Sequence, residues 1–302
     1  MWFIFALITV ACWGTADLFY KKGSDENDPL SHLKIVVMVG LVMGIHAVIY
    51  MLVKGLTFNP MDIVTYFPVS ALYILSMTIG YIGLRYIELS IASPIQNTSG
   101  ALTAILCFFI FSQALSGLEI AGIAIISVGL FLLAVLEKHF DDKARAAAGE
   151  TVEKKYRIGW LAILFPLAYC ILDGLGTFAD AIYLDEKEIL SEDSALLAYE
   201  FTFFICAFFV FLFITFVKKE KFNPLKQKDK GLAAIFETAG QFFYVFAMSD
   251  RAIVAAPLVA SYSIVSVLLS RIFIKEKLKK VQYLVIALVM VGIILLGITD
   301  EM

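Results

Sequence analysis

Residues 244–296, YVFAMSDRAIVAAPLVASYSIVSVLLSRIFIKEKLKKVQYLVIALVMVGIILL, are the stretch whose reading decides the fold. They echo residues 81–133 without a gap, at a constant offset of 163 positions. Tyr81 falls on Tyr244, Ala92 on Ala255, Pro94 on Pro257, Gly129 on Gly292, and Leu132 and Leu133 on Leu295 and Leu296. Gln113 falls on Glu276, each at a turn between two apolar runs. Identity is low, but proline, turn and glycine stay in phase, so each copy predicts two hydrophobic helices joined by a short turn. Two such halves can make two related walls around one central site.

The solvent follows from composition. Of 302 residues, 61% are hydrophobic and 17% charged, with a mean hydropathy of +0.87. A water-facing fold of this length cannot hide that much apolar surface, so the chain is expected in a bilayer. Ten runs meet the requirement of roughly 20 apolar residues per crossing. They lie at about 2–20, 33–53, 62–84, 91–112, 117–137, 158–184, 194–217, 231–249, 252–274 and 281–299. The expected fold class is therefore all-α integral membrane, with ten transmembrane helices in two inverted five-helix repeats. The first repeat takes residues 1–137, a polar linker 138–157, and the second repeat 158–302. Inversion follows from five being odd: the second half enters the membrane from the opposite side. Trp2 to Val10 could pass for a signal-peptide core. No basic segment precedes it, and Lys21 and Lys22 come after it, which predicts an uncleaved first helix.

Lys and Arg set the orientation. With loops on alternating sides, one side receives Lys54, Lys187 and Arg251, and the other receives the remaining 21 of the 24 basic residues. The basic side is expected in the cytoplasm, with both termini and the acidic turn 185–193 outside, as in the plasma membrane of a bacterium. Cys12, Cys107, Cys170 and Cys206 sit in apolar runs without metal-ligand spacing and predict small core residues. His32, His46 and His139 are scattered. No HExxH, GxSxG or nucleotide-binding loop is present, so enzymatic chemistry, ATP-driven pumping, a cofactor and nucleic-acid binding find no support.

Carboxylates inside apolar runs are the informative residues. Asp173 lies near the middle of the sixth run, Glu200 and Glu237 about two turns into the seventh and eighth, and Asp17 and Asp180 nearer the ends of theirs. A charge at the bilayer centre costs roughly 2.5–3.5 kcal/mol on insertion scales. It is kept where it is paired, protonated or wet. No Lys or Arg occupies the interior of a span, and His46 is the other candidate cation. Such an acidic excess suits a desolvated carboxyl that loads a proton, or a site that neutralises an organic cation. The plainer alternative is a protonated acid bonded to a neighbouring helix; Asp17 could pair with Lys21, and Glu200 and Asp180 could reach interfacial water.

Spacing groups these acids with aromatic and polar neighbours. Tyr169, Asp173, Thr177 and Asp180 form one stripe, Glu237, Gln241 and Tyr244 a second, Trp13, Asp17 and Tyr20 a third, and Tyr73, Met77 and Tyr81 a fourth. Lipid penalises such faces, so they should meet each other or a wet cavity. Aromatics beside an acid suit an amine through cation–π attraction. The candidate substrate-binding and coupling residues are thus Asp173, Glu237, Trp13, Asp17, Tyr81, Tyr169, Thr177, Asp180, Gln241 and Tyr244. The runs Gln96 to Ser99 and Ser261 to Ser263 could line a path or bond between helices. The fifth and tenth helices and the Phe-rich seventh read as lipid-facing, Glu200 excepted, and the fifth and tenth also suit a homodimer contact.

At this point the residues resemble the drug/metabolite transporter superfamily, in particular its EamA-type members. The carrying features are Ala-Cys-Trp-Gly (11–14), Tyr-Ile-Gly-Leu-Arg-Tyr-Ile-Glu-Leu-Ser-Ile-Ala-Ser-Pro (81–94), Ile-Lys-Glu-Lys-Leu (274–278) and Val-Gly-Ile-Ile-Leu-Leu (291–296). The resemblance implies a secondary carrier working by alternating access. Its cavity would be lined by helices 1–4 and 6–9, with helices 5 and 10 at the edge. Asp-Gly-Leu-Gly-Thr (173–177) departs from the small apolar turn usual at that place. Expected partners are a small-molecule substrate, cationic or zwitterionic in the sense of the acidic excess, and membrane lipid. A lipid-handling, flippase-like or partner-binding membrane protein is the second reading.

Overall fold

The computed structural model describes residues 1–25, 27–111, 115–147, 163–275 and 278–300. Most of those residues are helical, with no strand among them. In chain order the helices are α1 (Trp2–Gly23), α2 (Ser31–Lys54), α3 (Met61–Gly83), α4 (Leu89–Gln96), α5 (Ser99–Ile110) and α6 (Gly117–Ala147). They continue as α7 (Leu164–Ala181), α8 (Glu192–Leu212), α9 (Lys228–Ala260), α10 (Tyr262–Leu269) and α11 (Lys280–Asp300). Wider π-type turns prolong α7, α8 and α10 over Ile182–Glu186, Phe213–Val217 and Ser270–Ile274.

Among the described residues, eight stretches are long and apolar enough to cross a membrane, against ten expected. The difference arises at two places. The expected span 91–112 is cut after Gln96 by Asn97 and Thr98, leaving helices of 8 and 12 residues. The expected spans 231–249 and 252–274 run on as one apolar stretch, Lys228–Ile274, in which Arg251 is the non-helical residue (φ −153°, ψ 72°). Pro94 and Pro257 lie inside α4 and α9, ahead of the breaks. A proline withdraws a backbone donor from the preceding turn and so weakens the helix there. Pro166 is the third residue of α7, where the amide it lacks has no carbonyl to claim, whereas Pro68 is interior to α3. Helix α6 also carries the chain past the expected end of its span to Ala147, so the start of the polar linker is helical. Residues 148–162, and the Gln113 and Glu276 turn positions, lie outside the described residues.

The burial pattern is that of a protein dissolved in lipid. Val53 and Phe109 are 79% exposed, while Asp180 and Glu200 are fully enclosed. Water would demand the reverse, whereas hydrocarbon forces polar groups to find partners inside. Packing joins the halves: α1 lies on α9 and α10, α3 on α7 and α8, α2 on α8 and α9, and α6 on α11. The Gly40 and Gly44 pair is used at the α2–α8 contact. A methyl group on Gly40 would stand 2.4 Å from Ala207 Cβ, and one on Gly44 2.5 Å from the Phe204 ring. Helix α8 is two-faced, correcting the lipid-facing reading. Leu196, Leu197, Tyr199, Phe203 and Ala207 are buried, and the phenylalanines at 204, 208, 209 and 213 face outward. Helices α6 and α11 present outer residues to lipid and bury Ile126, Leu130, Val289 and Ile293 against each other.

Contacts at the helix ends group the loops. Tyr50 Oη donates to Asp193 at 2.7 Å, and the Met1 amino group lies 3.5 Å from Asp250. At other helix ends Lys34 joins Asp28 at 2.8 Å and also pairs with Glu220. Lys21 Nζ donates to the carbonyls of Leu84 and Ile87 at 2.8 and 2.7 Å, tying the end of α1 to the end of α3.

Candidate functional site

A cavity lies where α1, α3, α7 and α9 converge, walled also by the broken ends of α4, α5 and α10 and by Tyr199 of α8. Of the ten candidate residues, nine line it: Trp13 and Asp17 from α1, Tyr81 from α3, Tyr169, Asp173 and Thr177 from α7, and Glu237, Gln241 and Tyr244 from α9. Asp180 is not among the lining residues. It is wholly buried beside the cavity, where it accepts from Tyr66 Oη and, at 3.5 Å, from Tyr73 Oη.

Close approach of backbones is what brings these side chains together. The Trp13 indole lies over Gly240, where a Cβ would meet its Cδ1 at 2.3 Å. Its Nε1 donates to the Glu237 carbonyl at 3.2 Å, and its ring packs 4.9 Å from Tyr244 and 5.8 Å from Tyr262. Gly100 at the start of α5 sits against Ala260, where a Cβ would be 2.5 Å away. The two broken helices therefore cross at contact distance and turn their polar breaks inward.

The acids divide by partner. Asp17 Oδ2 accepts from Ser93 at 2.6 Å and Ser266 at 2.7 Å, so it joins α1, α4 and α10. These serines, rather than the Lys21 that the sequence offered as an alternative partner, hold Asp17; Lys21 Nζ lies on the carbonyls of Leu84 and Ile87. Asp173 Oδ2 accepts from Ser99 at 2.7 Å. The Glu237 carboxylate takes no side-chain hydrogen bond of ordinary length among the described residues. Glu200 lies apart from the cavity. Its two oxygens stand 2.8 and 2.9 Å from His46 Nδ1 between α2 and α8, and it is fully enclosed rather than open to interfacial water.

At one end of the cavity Tyr73 and Tyr244 share a hydrogen bond of 2.6 Å, and Tyr73 also reaches Thr177 at 3.1 Å. At the other end the Tyr20 and Tyr81 rings lie 4.7 Å apart. Carboxylates from Asp17, Asp173 and Glu237 face this space, and no Lys, Arg or His is among its lining residues. Sequence reasoning missed Tyr199, hidden beside Glu200 in a run of phenylalanines. It left Gln96, Asn97, Ser99 and Tyr262 undecided between a path and helix contacts; all four border the cavity.

The model of the EamA-like transporter family matches residues 1–135 and 160–298. An uncharacterized protein of Methanocaldococcus jannaschii is 26% identical over 133 residues, covering 44% of this chain and 95% of that protein. A crystal structure of another protein superimposes with a TM-score of 0.63 at 14% identity, over 95% of this chain and 97% of that one. Identity that low speaks for the fold alone.

Proposed function

We propose that this chain, which belongs to the EamA-like transporter family and so is a multi-pass membrane transporter of small solutes, carries a cationic or zwitterionic organic metabolite by alternating access. The observation that carries this reading is the charge of the cavity: three carboxylates and no basic side chain among its lining residues. An anionic cargo would meet uncompensated negative charge in a low-dielectric site, whereas a cation is attracted there. The phenol and indole walls add cation–π attraction. The side chains of Gln96 and Gln241 make no hydrogen bond to protein among the described residues and offer neutral donors to the carboxylate of a zwitterion. Coupling to protons or cations would run through the same acids.

Alternating access rests on two inverted halves, and several contacts support that arrangement. Gly129 packs on Val289 and Gly292 on Ile126; 129 and 292, and 126 and 289, are each separated by the repeat offset. Reciprocal contact of this kind is what a twofold relation produces. Helix α1 packs on α9 as α7 packs on α3. The helix breaks at Thr98 and Ser261 also stand one offset apart. The Lys228–Ile274 stretch has 47 residues, about 70 Å of helix at the usual rise and enough for two crossings either side of Arg251. Ten crossings with the basic loops in the cytoplasm and both termini outside is the topology we adopt.

Purified protein screened by thermal shift against amines, amino acids and sugars at two pH values tests the cargo class. Ligands stabilise by mass action, so amines or amino acids are expected to raise the melting temperature. Stabilisation by sugars alone would refute the reading. In liposomes, pH-driven flux unchanged by Asp173→Asn would remove that acid from the mechanism. A sealed central cavity lined by Asp173 and Glu237 would argue against the flippase-like alternative; both acids line the cavity, and a side opening between helices would favour that alternative.

A further inference from the structure

We infer that the cavity selects a primary ammonium group, gripped by the Glu237 carboxylate together with the hydroxyls of Tyr20 and Tyr81, and discriminates against quaternary ammonium. This rests on the cationic-cargo reading above and specifies which cation fits.

The three acids of the cavity are not equally available. Asp17 has two serine hydroxyls on its Oδ2, and Asp173 has one. Glu237 has none at ordinary hydrogen-bond length, although it borders the cavity and is 7% exposed. Two further polar groups stand unmatched beside it. The hydroxyls of Tyr20 and Tyr81 are buried with no hydrogen-bond partner at ordinary length, both residues border the cavity, and the two phenols lie within longer reach of each other and of Glu237, Tyr20 nearest to it. Their rings pack 4.7 Å apart, so α1 and α3 deliver the two phenols as one unit, and α9 delivers the acid.

Buried polar groups without partners are uncommon in folded proteins and call for an occupant that completes them. A primary ammonium has three N–H donors for three acceptors: a carboxylate oxygen and two phenol oxygens. A phenol that accepts from the ammonium still has its own proton to donate, and Glu237 can take it, which closes the network. A quaternary ammonium has no N–H. It would enjoy the aromatic faces but bring no donor to the two phenol oxygens; cation–π attraction alone predicts the opposite preference.

The test compares 2-phenylethylamine with its N,N,N-trimethyl counterpart and with 2-phenylethanol, by thermal shift and by calorimetry on the purified full chain. The primary amine is expected to bind at least tenfold more tightly than the trimethyl compound. Tyr20→Phe and Tyr81→Phe should each reduce that ratio by about three- to tenfold, the worth of one hydrogen bond, leaving the trimethyl compound unaffected. Equal or tighter binding of the trimethyl compound overturns the inference and leaves the cationic-cargo reading standing. Neither cation binding better than the alcohol overturns both. A ratio unchanged in well-folded phenylalanine variants overturns the role of the hydroxyls. Should the variants misfold, the wild-type comparison decides by itself.

Discussion

Substituting Gly240→Ala offers a sharp test of how the cavity is built. The new methyl would lie 2.3 Å from Trp13 Cδ1, 2.5 Å from Nε1 and 3.0 Å from Cγ, whereas carbon atoms rest at about 3.5–4.0 Å. More than an ångström must be found. Separating α1 from α9 is opposed by the Thr9 hydroxyl, which donates to the Gly240 carbonyl at 3.2 Å. The indole must therefore swing, losing its hydrogen bond to the Glu237 carbonyl at 3.2 Å and its packing on Tyr244. Overpacking of this kind costs about 1–3 kcal/mol, and the hydrogen bond about 1 kcal/mol more. Taking about 2 kcal/mol as felt by the ligand, affinity for a cationic cargo falls roughly 30-fold. Tryptophan emission should shift in parallel, and calorimetry reads the affinity. Adding Trp13→Leu relieves the crowding, so the double variant should recover stability while binding stays poor, a coupling that two independent sites would not show. Unchanged emission and affinity in Gly240→Ala alone would refute the reasoning.

Three further outcomes are expected. His46→Ala strips the enclosed Glu200 of the group on both its oxygens. Breaking a buried pair on one side costs about 3 kcal/mol, so the melting temperature should fall well below that of Glu200→Gln. Asp17→Ala leaves the Ser93 and Ser266 hydroxyls without their shared acceptor and should cost about 3 kcal/mol in denaturant unfolding, against less than half that for Asp17→Asn, whose amide oxygen still accepts. Labelling intact cells with an impermeant thiol reagent should modify Lys54→Cys and spare Lys219→Cys; the reverse pattern would invert the proposed topology.

Much of the molecule is legible residue by residue, and the misses share a cause. Spans 2–20, 33–53 and 62–84 match α1, α2 and α3 closely because hydropathy is a local property and lipid responds to it locally. Span 91–112 fails as a continuous helix at Asn97 and Thr98, where Gly100 serves the crossing with α9 and Thr98 reaches Cys170 of α7, contacts no window on the first half contains. The stripes on α1, α7 and α9 pointed at a common space because polar faces on apolar helices have nowhere else to go. Tyr199 was missed because its face of α8 is distinguished from the phenylalanine face only by α2 and α3 packing on it.

By itself the sequence determined the solvent, most of the apolar runs, the ungapped echo of residues 81–133 in 244–296 and the inventory of acids. Each of these depends on side chains within one helix length, or on comparing two stretches of one string. Tertiary structure alone decided which acids are spoken for. Glu200 finds His46 at 154 positions' distance and Asp17 finds Ser266 at 249, while Glu237 keeps a free face toward the cavity. Whether a carboxylate in hydrocarbon is a strut or a site depends on the donors that neighbouring helices bring within 3 Å, and packing of the two halves sets that.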